Sequence, residues 1–195
     1  RPRASVWESR MRMVLCLLRA SYNVTISDTD AVFLSDASPW LTGFDLVASR
    51  GNFPEWSAER WGASLCLGLA RFNPGAHVAA LTKHLVERTQ SLRDDQRAVN
   101  HVLHEADVAW APETSDGKLL FATSTKTASG STRLVKVGLL PHAKFVRDCS
   151  HITSDAIVVH CVSRDAKREA LAKAGAWVLR DDWRDVADLR HMGVT

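Results

Sequence analysis

Short apolar, β-branched runs alternate along this chain with segments whose apolar residues recur at helical spacing, and that interleaving admits few architectures. Over residues 5–20, Trp7, Met11, Val14, Leu15 and Leu18 line one face, with Glu8, Arg10, Arg12 and Arg19 among them. The spacing predicts a helix laying that face on a core. A strand is predicted over 23–28, after which Pro39 keeps any helix from running through DASPWL. A short strand over 44–49, a loop with a helical turn over 50–63, and a buried strand over 64–72 (SLCLGLARF) come next. Val78, Leu81, Leu85 and Val86 predict a helix over 75–90, and Val99, Val102 and Leu103 another over 94–106. Gly117 and the SGST run mark loops over 115–133. Strands near 134–140 and 156–160 precede a last helix over 164–174, with Gly175 as its C-cap. The expected class is α/β, a mixed sheet flanked by helices. No repeat or linker divides the chain.

Composition narrows the functions. The 195 residues are 46% hydrophobic and 24% charged, which suits one cored domain. The net charge of +3 comes with no basic cluster interleaved with aromatics, so nucleic acid is not an expected partner. No apolar run is long enough to span a membrane. Cys16, Cys66, Cys149 and Cys161 lack the C-x-x-C spacing of a structural zinc site. They are expected to be core thiols, with one disulfide left open. The chain opens RPRASVWESR with no targeting pattern, as expected of a processed form or an excised piece.

The stretch VTISDTDAVFL (24–34) ends an apolar run on Asp28 and Asp30. Ionised carboxylates at the end of a buried strand need partners. Residues two apart on a strand point to one side, and strand carboxyl ends are where α/β sheets bind ligands. Two such charges either share a proton or flank a cation; oxygen ligands of this kind suit Mg²⁺ or Mn²⁺. A solvated turn is the bland alternative. DTDAV also fits the DxDx[T/V] signature of haloacid-dehalogenase-type phosphatases, with Asp28 as nucleophile, Asp30 as general acid and RDDW (180–183) resembling a later acidic motif. The lysine and Ser/Thr motifs of that class do not stand between them in the right order.

Four blocks in order resemble the nucleotide-diphospho-sugar transferase family, which includes plant and algal arabinosyl-, xylosyl- and galactosyltransferases. They are YNVTISDTDAVFLSDASPWL, FPEWSAERWGASLCLGLARFNP, RDDQRAVNHVL (a D-D-Q-x-x-x-N helix start) and HCVSRDAKREALAKAGAW. The resemblance implies a GT-A (Rossmann-like) fold and metal-dependent, retaining transfer from a UDP-sugar to a glycan or glycoprotein acceptor. It implies Asp30 as a direct Mn²⁺ (or Mg²⁺) ligand, Asp28 on the ribose or on the metal through water, and His160 as a third ligand. Lys167 would reach the diphosphate, Asp95 the donor-sugar hydroxyls, and Gln96 would lie beside the anomeric carbon. Gly62 to Gly68 would bring backbone close to the sugar.

The family also implies the Golgi lumen. GT-A domains place a βαβ unit before the D-x-D strand, and here one helix precedes it, so 1–195 is expected to be one catalytic domain lacking its N-terminal part. An inactive nucleotide-sugar-binding module and a nucleotide-sugar hydrolase are alternatives on the same fold. Trp56 and Trp61 are expected to pack, with stacking on an acceptor sugar as the alternative. Asn23-Val24-Thr25 is an N-glycosylation sequon, expected to be unused because it opens a buried strand.

Overall fold

A computed structural model describes residues 2–111, 120–124, 135–162 and 167–177. Helix α1 (Pro2–Arg19) leads into strand β1 (Val24–Ser27), and a short β2 (Val32–Phe33) follows the D-x-D turn. Next come β3 (Leu46–Gly51), α2 (Glu55–Trp61), β4 (Ser64–Phe72), α3 (Ala76–Leu92) and α4 (Asp95–Glu105). The described remainder holds β5 (Ala109–Trp110), β6 (Leu120–Ser124), β7 (Val135–Leu140), β8 (Phe145–Val146), β9 (Val158–Val159) and α5 (Lys167–Lys173). Six strands form one mixed sheet in the order β1-β4-β3-β7-β6-β5, with β3 and β7 parallel and the other pairs antiparallel. A smaller sheet, β2-β9-β8, pairs β8 and β9 in parallel.

The alternation of side chains along β3 divides the core. Leu46 and Ala48 join Met11, Val14 and Leu18 of α1, Val78 and Leu85 of α3, and Val99 and Leu103 of α4. Val47 packs instead with Leu140, Phe145, Ile157 and Val158. Three helices therefore cover one face of the main sheet and the small sheet lies on the other. Each of the fully buried Leu and Met side chains contributes roughly 1.5–3 kcal/mol.

One irregularity in this sheet positions the site. Ala48 is opposite Ala70, yet Ser49 is opposite Cys66, so Leu67, Gly68 and Leu69 have no partner on β3. The bulge reverses which face β4 presents: Leu67 packs under the helices, Leu69 on the small-sheet side. Bulges re-aim side chains in this way.

Helix α4 is fixed to the same strand by its Asn100. The buried amide accepts from Leu65 N (2.9 Å) and donates to Leu65 O (2.9 Å) and to Gln96 O (2.8 Å). This gives the D-D-Q-x-x-x-N spacing a structural cause, because one turn separates the helix start from the residue that clamps it to β4.

Several expectations are corrected. Residues 120–124 form a strand rather than a loop; the rest of 115–133 and RDDW lie outside the described residues. The sequon is not buried: β1 is an edge strand with alternating exposure, and Asn23 and Thr25 both face solvent. The four thiols are not all core. Parallel pairing of β8 with β9 brings the residues beyond them together, and Cys149 and Cys161 form a disulfide with Cα atoms 5.4 Å apart. Cys16 is exposed and Cys66 buried. Gly62 adopts φ +73° and ends α2 as its left-handed cap, while Gly68 is where β4 lies close against the His160 ring. The expected packing of Trp56 and Trp61 is found: Trp56 packs on His101 and Trp61, and Trp61 on Trp110, in one half-buried aromatic cluster.

Replacing Asn100 with Leu leaves the Leu65 backbone pair buried without partners. Urea denaturation is expected to show a loss of roughly 2–4 kcal/mol; an unchanged midpoint would mean that α4 is held by apolar packing alone.

Candidate functional site

Asp28 directly follows β1, and its backbone N–H donates to Gly68 O at 2.8 Å, so the last sheet bond of β1 is made to the bulge itself. Asp30 lies two residues on, in the turn before β2. His160 follows β9, where its N–H donates to Val146 O at 2.8 Å and aims the ring back over β4. His160 Nε2 lies 3.1 Å from Asp30 Oδ1 and 3.7 Å from Asp28 Oδ2. One ligand atom from each of Asp28, Asp30 and His160 falls within 4.8 Å of the others.

Gly68 makes this approach possible. A Cβ at that position would collide with the His160 ring and come within 3.0 Å of Asp28 Oδ2. Two carboxylate oxygens and an imidazole nitrogen are a donor set suited to Mn²⁺ and acceptable to Mg²⁺, so the residues present fit a divalent cation.

Lys167, at the start of α5, donates to Asp30 Oδ2. Burial alone would raise the Asp30 carboxyl, but the Lys167 hydrogen bond and the His160 and Lys167 charges outweigh it and hold it below its ordinary value. Burial, and then the charge of Arg147, push the His160 imidazole down, against the pull of both aspartates. The ring is therefore poised in its neutral, metal-binding form. Arg147 follows β8, with Nη1 3.4 Å from His160 Nδ1 and in contact with Cys66 Sγ. Burial raises the Cys66 thiol even with that guanidinium beside it.

Arg10 is a further residue of the site. From α1 it donates Nη1 to Asp28 Oδ1 at 2.7 Å, while Nε (2.8 Å) and Nη2 both reach Asp95 Oδ2. The Trp7 ring stacks on its guanidinium, 4.6 Å away. On sequence alone Arg10 is one of several charges on an amphipathic helix, and nothing distinguishes it from Arg12, which pairs with Glu8 on the surface.

Asp95 opens α4 beneath its N-cap, Asp94, whose Oδ1 accepts from Arg97 N at 2.8 Å. Its carboxylate is only 6% exposed; burial raises its pKa despite Arg10. Gln96 donates to Phe53 O at 2.6 Å. Asp28, Gly68, Asp95 and Gln96 line a cavity of about 160 Å³ together with Trp7, Arg10, Phe53 and Asp94. The structure thus brings Asp28, Asp30, His160 and Lys167 into one group and sets Asp28, Gly68, Asp95 and Gln96 around one cavity, while Gly62 caps α2.

The chain belongs to the nucleotide-diphospho-sugar transferase family, whose model matches residues 3–171. It is a transferase of that class, and the match runs from before Arg10 to beyond Lys167. No curated protein and no solved structure matches it. Membership in this family displaces the phosphatase reading of DTDAV.

Arg10→Met would leave two neighbouring carboxylates, one of them buried, without their cation. Chemical denaturation is expected to show a loss of about 3 kcal/mol, partly recovered by adding Asp95→Asn. Equal losses with and without the second substitution would contradict the shared pairing.

Proposed function

We propose that the protein is a glycosyltransferase catalytic domain that moves a sugar from a UDP-sugar to a hydroxyl of a glycan or glycoprotein acceptor, with retention of anomeric configuration. The observation that carries this reading is the convergence of Asp28, Asp30 and His160 within 4.8 Å, in a chain of this family. A divalent cation held there, Mn²⁺ or Mg²⁺, supplies Lewis acidity to the departing diphosphate.

The chain's own groups do the rest. Lys167 keeps Asp30 ionised and lies where it can meet a diphosphate oxygen. Arg10 keeps Asp28 and Asp95 in place; both of its Asp95 contacts fall on Oδ2, which leaves Oδ1 to accept a donor-sugar hydroxyl. Gln96 is fixed by Phe53 O beside the same cavity. That cavity, at about 160 Å³, is below the roughly 300–1,000 Å³ of pockets that enclose whole drug-sized ligands. It suits the transferred sugar, with the nucleotide lying outside it. The Cys149–Cys161 disulfide accords with an oxidising compartment, and we place the protein in the Golgi lumen.

UDP release from UDP-sugars, followed with and without candidate acceptors and Mn²⁺, separates a transferase from a hydrolase and from an inactive binding module. Asp30→Ala is expected to lower Mn²⁺-dependent transfer at least about 100-fold. Its melting temperature should stay close to that of the wild type, because the Asp30 side chain lies at the surface, 45% exposed. Transfer that persists without metal, or survives this substitution, would refute the reading.

A further inference from the structure

Asp30, His160 and Lys167 are all carried by chain that passes through one small core. Val159 and Cys161, on either side of His160, are buried there with Val146, Leu171 and Ala176, and Val32 and Cys149 pack against them. Val32 lies two residues past Asp30, and Leu171 one turn past Lys167 along α5. The Cys149–Cys161 disulfide belongs to this core and joins the segment after β8 to the residue after His160.

Little else fixes the His160 ring. A ligating imidazole is ordinarily oriented by an acceptor on its second nitrogen. Among the described residues, the group facing His160 Nδ1 is the Arg147 guanidinium, itself a donor, at 3.4 Å. The direction of the ring is therefore left to its backbone and to its close approach to Gly68. That backbone leaves β9, a strand of two residues between two others equally short. Past the strand, His160 N donates to Val146 O at 2.8 Å and Val162 N to Arg147 O at 3.2 Å. So short a ladder has little stability of its own, whereas a metal ligand has to be held to within about 0.5 Å. The disulfide locks the ladder at Cys161, between those two hydrogen bonds.

We propose that Cys149 and Cys161 are positioning residues of the cation site: their disulfide holds His160 within reach of a cation shared with Asp28 and Asp30. The proposal rests on the cation reading above and adds to it a dependence on thiol redox state. The bond is open to attack from one side, because Cys161 is buried while Cys149 is half-buried and lines cavities of about 580 and about 570 Å³. Cys16 and Cys66 form no disulfide, so a reductant alters this bond alone among the four cysteines. With a phosphine, phosphorus bonds to the Cys149 sulfur and the S–S bond breaks with its electron pair on the Cys161 sulfur. Water then supplies oxygen to phosphorus, releasing Cys149, and one proton to each thiolate.

Mn²⁺ binding to the full chain with UDP is titrated before and after phosphine reduction, at a temperature where circular dichroism is the same for both states. Reduction is expected to weaken Mn²⁺ binding about 10- to 100-fold. The Cys149→Ala/Cys161→Ala variant is expected to bind as weakly as the reduced wild type and to be indifferent to the reductant. The metal-free protein gives a second readout. In its NMR spectrum, reduction should shift and broaden the His160 ring signals while those of His101 and His104 on α4 stay in place.

Equal Mn²⁺ affinity in the two states, or a fall no larger than the fraction of protein unfolded, overturns the proposal and makes the bridge a stabilising link only. His160 signals unmoved by reduction overturn it as well. If the oxidised wild type binds no Mn²⁺, the cation reading fails by itself, and the His160 signals still decide whether the bridge positions the ring.

Discussion

Two carboxylates that would repel each other are held in one site by a single guanidinium. Arg10 bonds Asp28 at the end of β1 and Asp95 at the start of α4, residues that lie 18 and 85 positions along the chain from it. The three elements that carry these residues meet through this contact as well as through the apolar face of α1. Without the cation, the buried Asp95 would be driven to take up a proton, and Asp28 would lose the partner that fixes its side chain. The polar centre is therefore tied to the packing of the first helix, in which Met11, next to Arg10, and Val14, one turn on, are fully buried.

The second constraint is steric. A regular β4 would keep one pairing along β3 and present one face throughout. The bulge at Leu67–Leu69 breaks that pairing where β1 ends, and Gly68, lacking a side chain, admits the His160 ring. On the other side of β4, Asn100 fixes α4 through Leu65. Both halves of the candidate site are thus referenced to one strand, one through an absent Cβ and the other through an amide clamp. The Cys149–Cys161 bridge joins the residue after His160 to the segment that follows β8.

Much of this was legible beforehand, for physical reasons. Long periodic segments announce themselves, so α1, α3, α4, β3, β4 and β7 fall where periodicity puts them, within a few residues. Strands of two residues (β2, β5 and β8) are too short to show a period, whereas β9 falls inside the apolar run predicted as a strand near 156–160. The strand β6 was hidden by its setting in a Ser- and Thr-rich stretch. The grouping of Asp28, Asp30, His160, Lys167, Asp95 and Gln96 followed from family resemblance in ordered blocks, not from spacing. Arg10 was invisible because an arginine on an amphipathic helix is usually solvated, and only tertiary structure reveals which one is not. The disulfide was hidden for a similar reason: twelve residues of separation become proximity only once β8 and β9 pair in parallel.

The central claim is that carboxylates from the β1 turn and an imidazole 130 residues away serve a single cation. Electron spin-echo spectroscopy of Mn²⁺ bound to the protein in the presence of UDP tests it directly, because a coordinated imidazole nitrogen leaves its own hyperfine signature. The account predicts one Mn²⁺ per chain with that nitrogen signal in the wild type, and loss of the signal in His160→Ala. Mn²⁺ bound tightly through oxygen ligands alone, or a nitrogen signal that persists in His160→Ala, would contradict it.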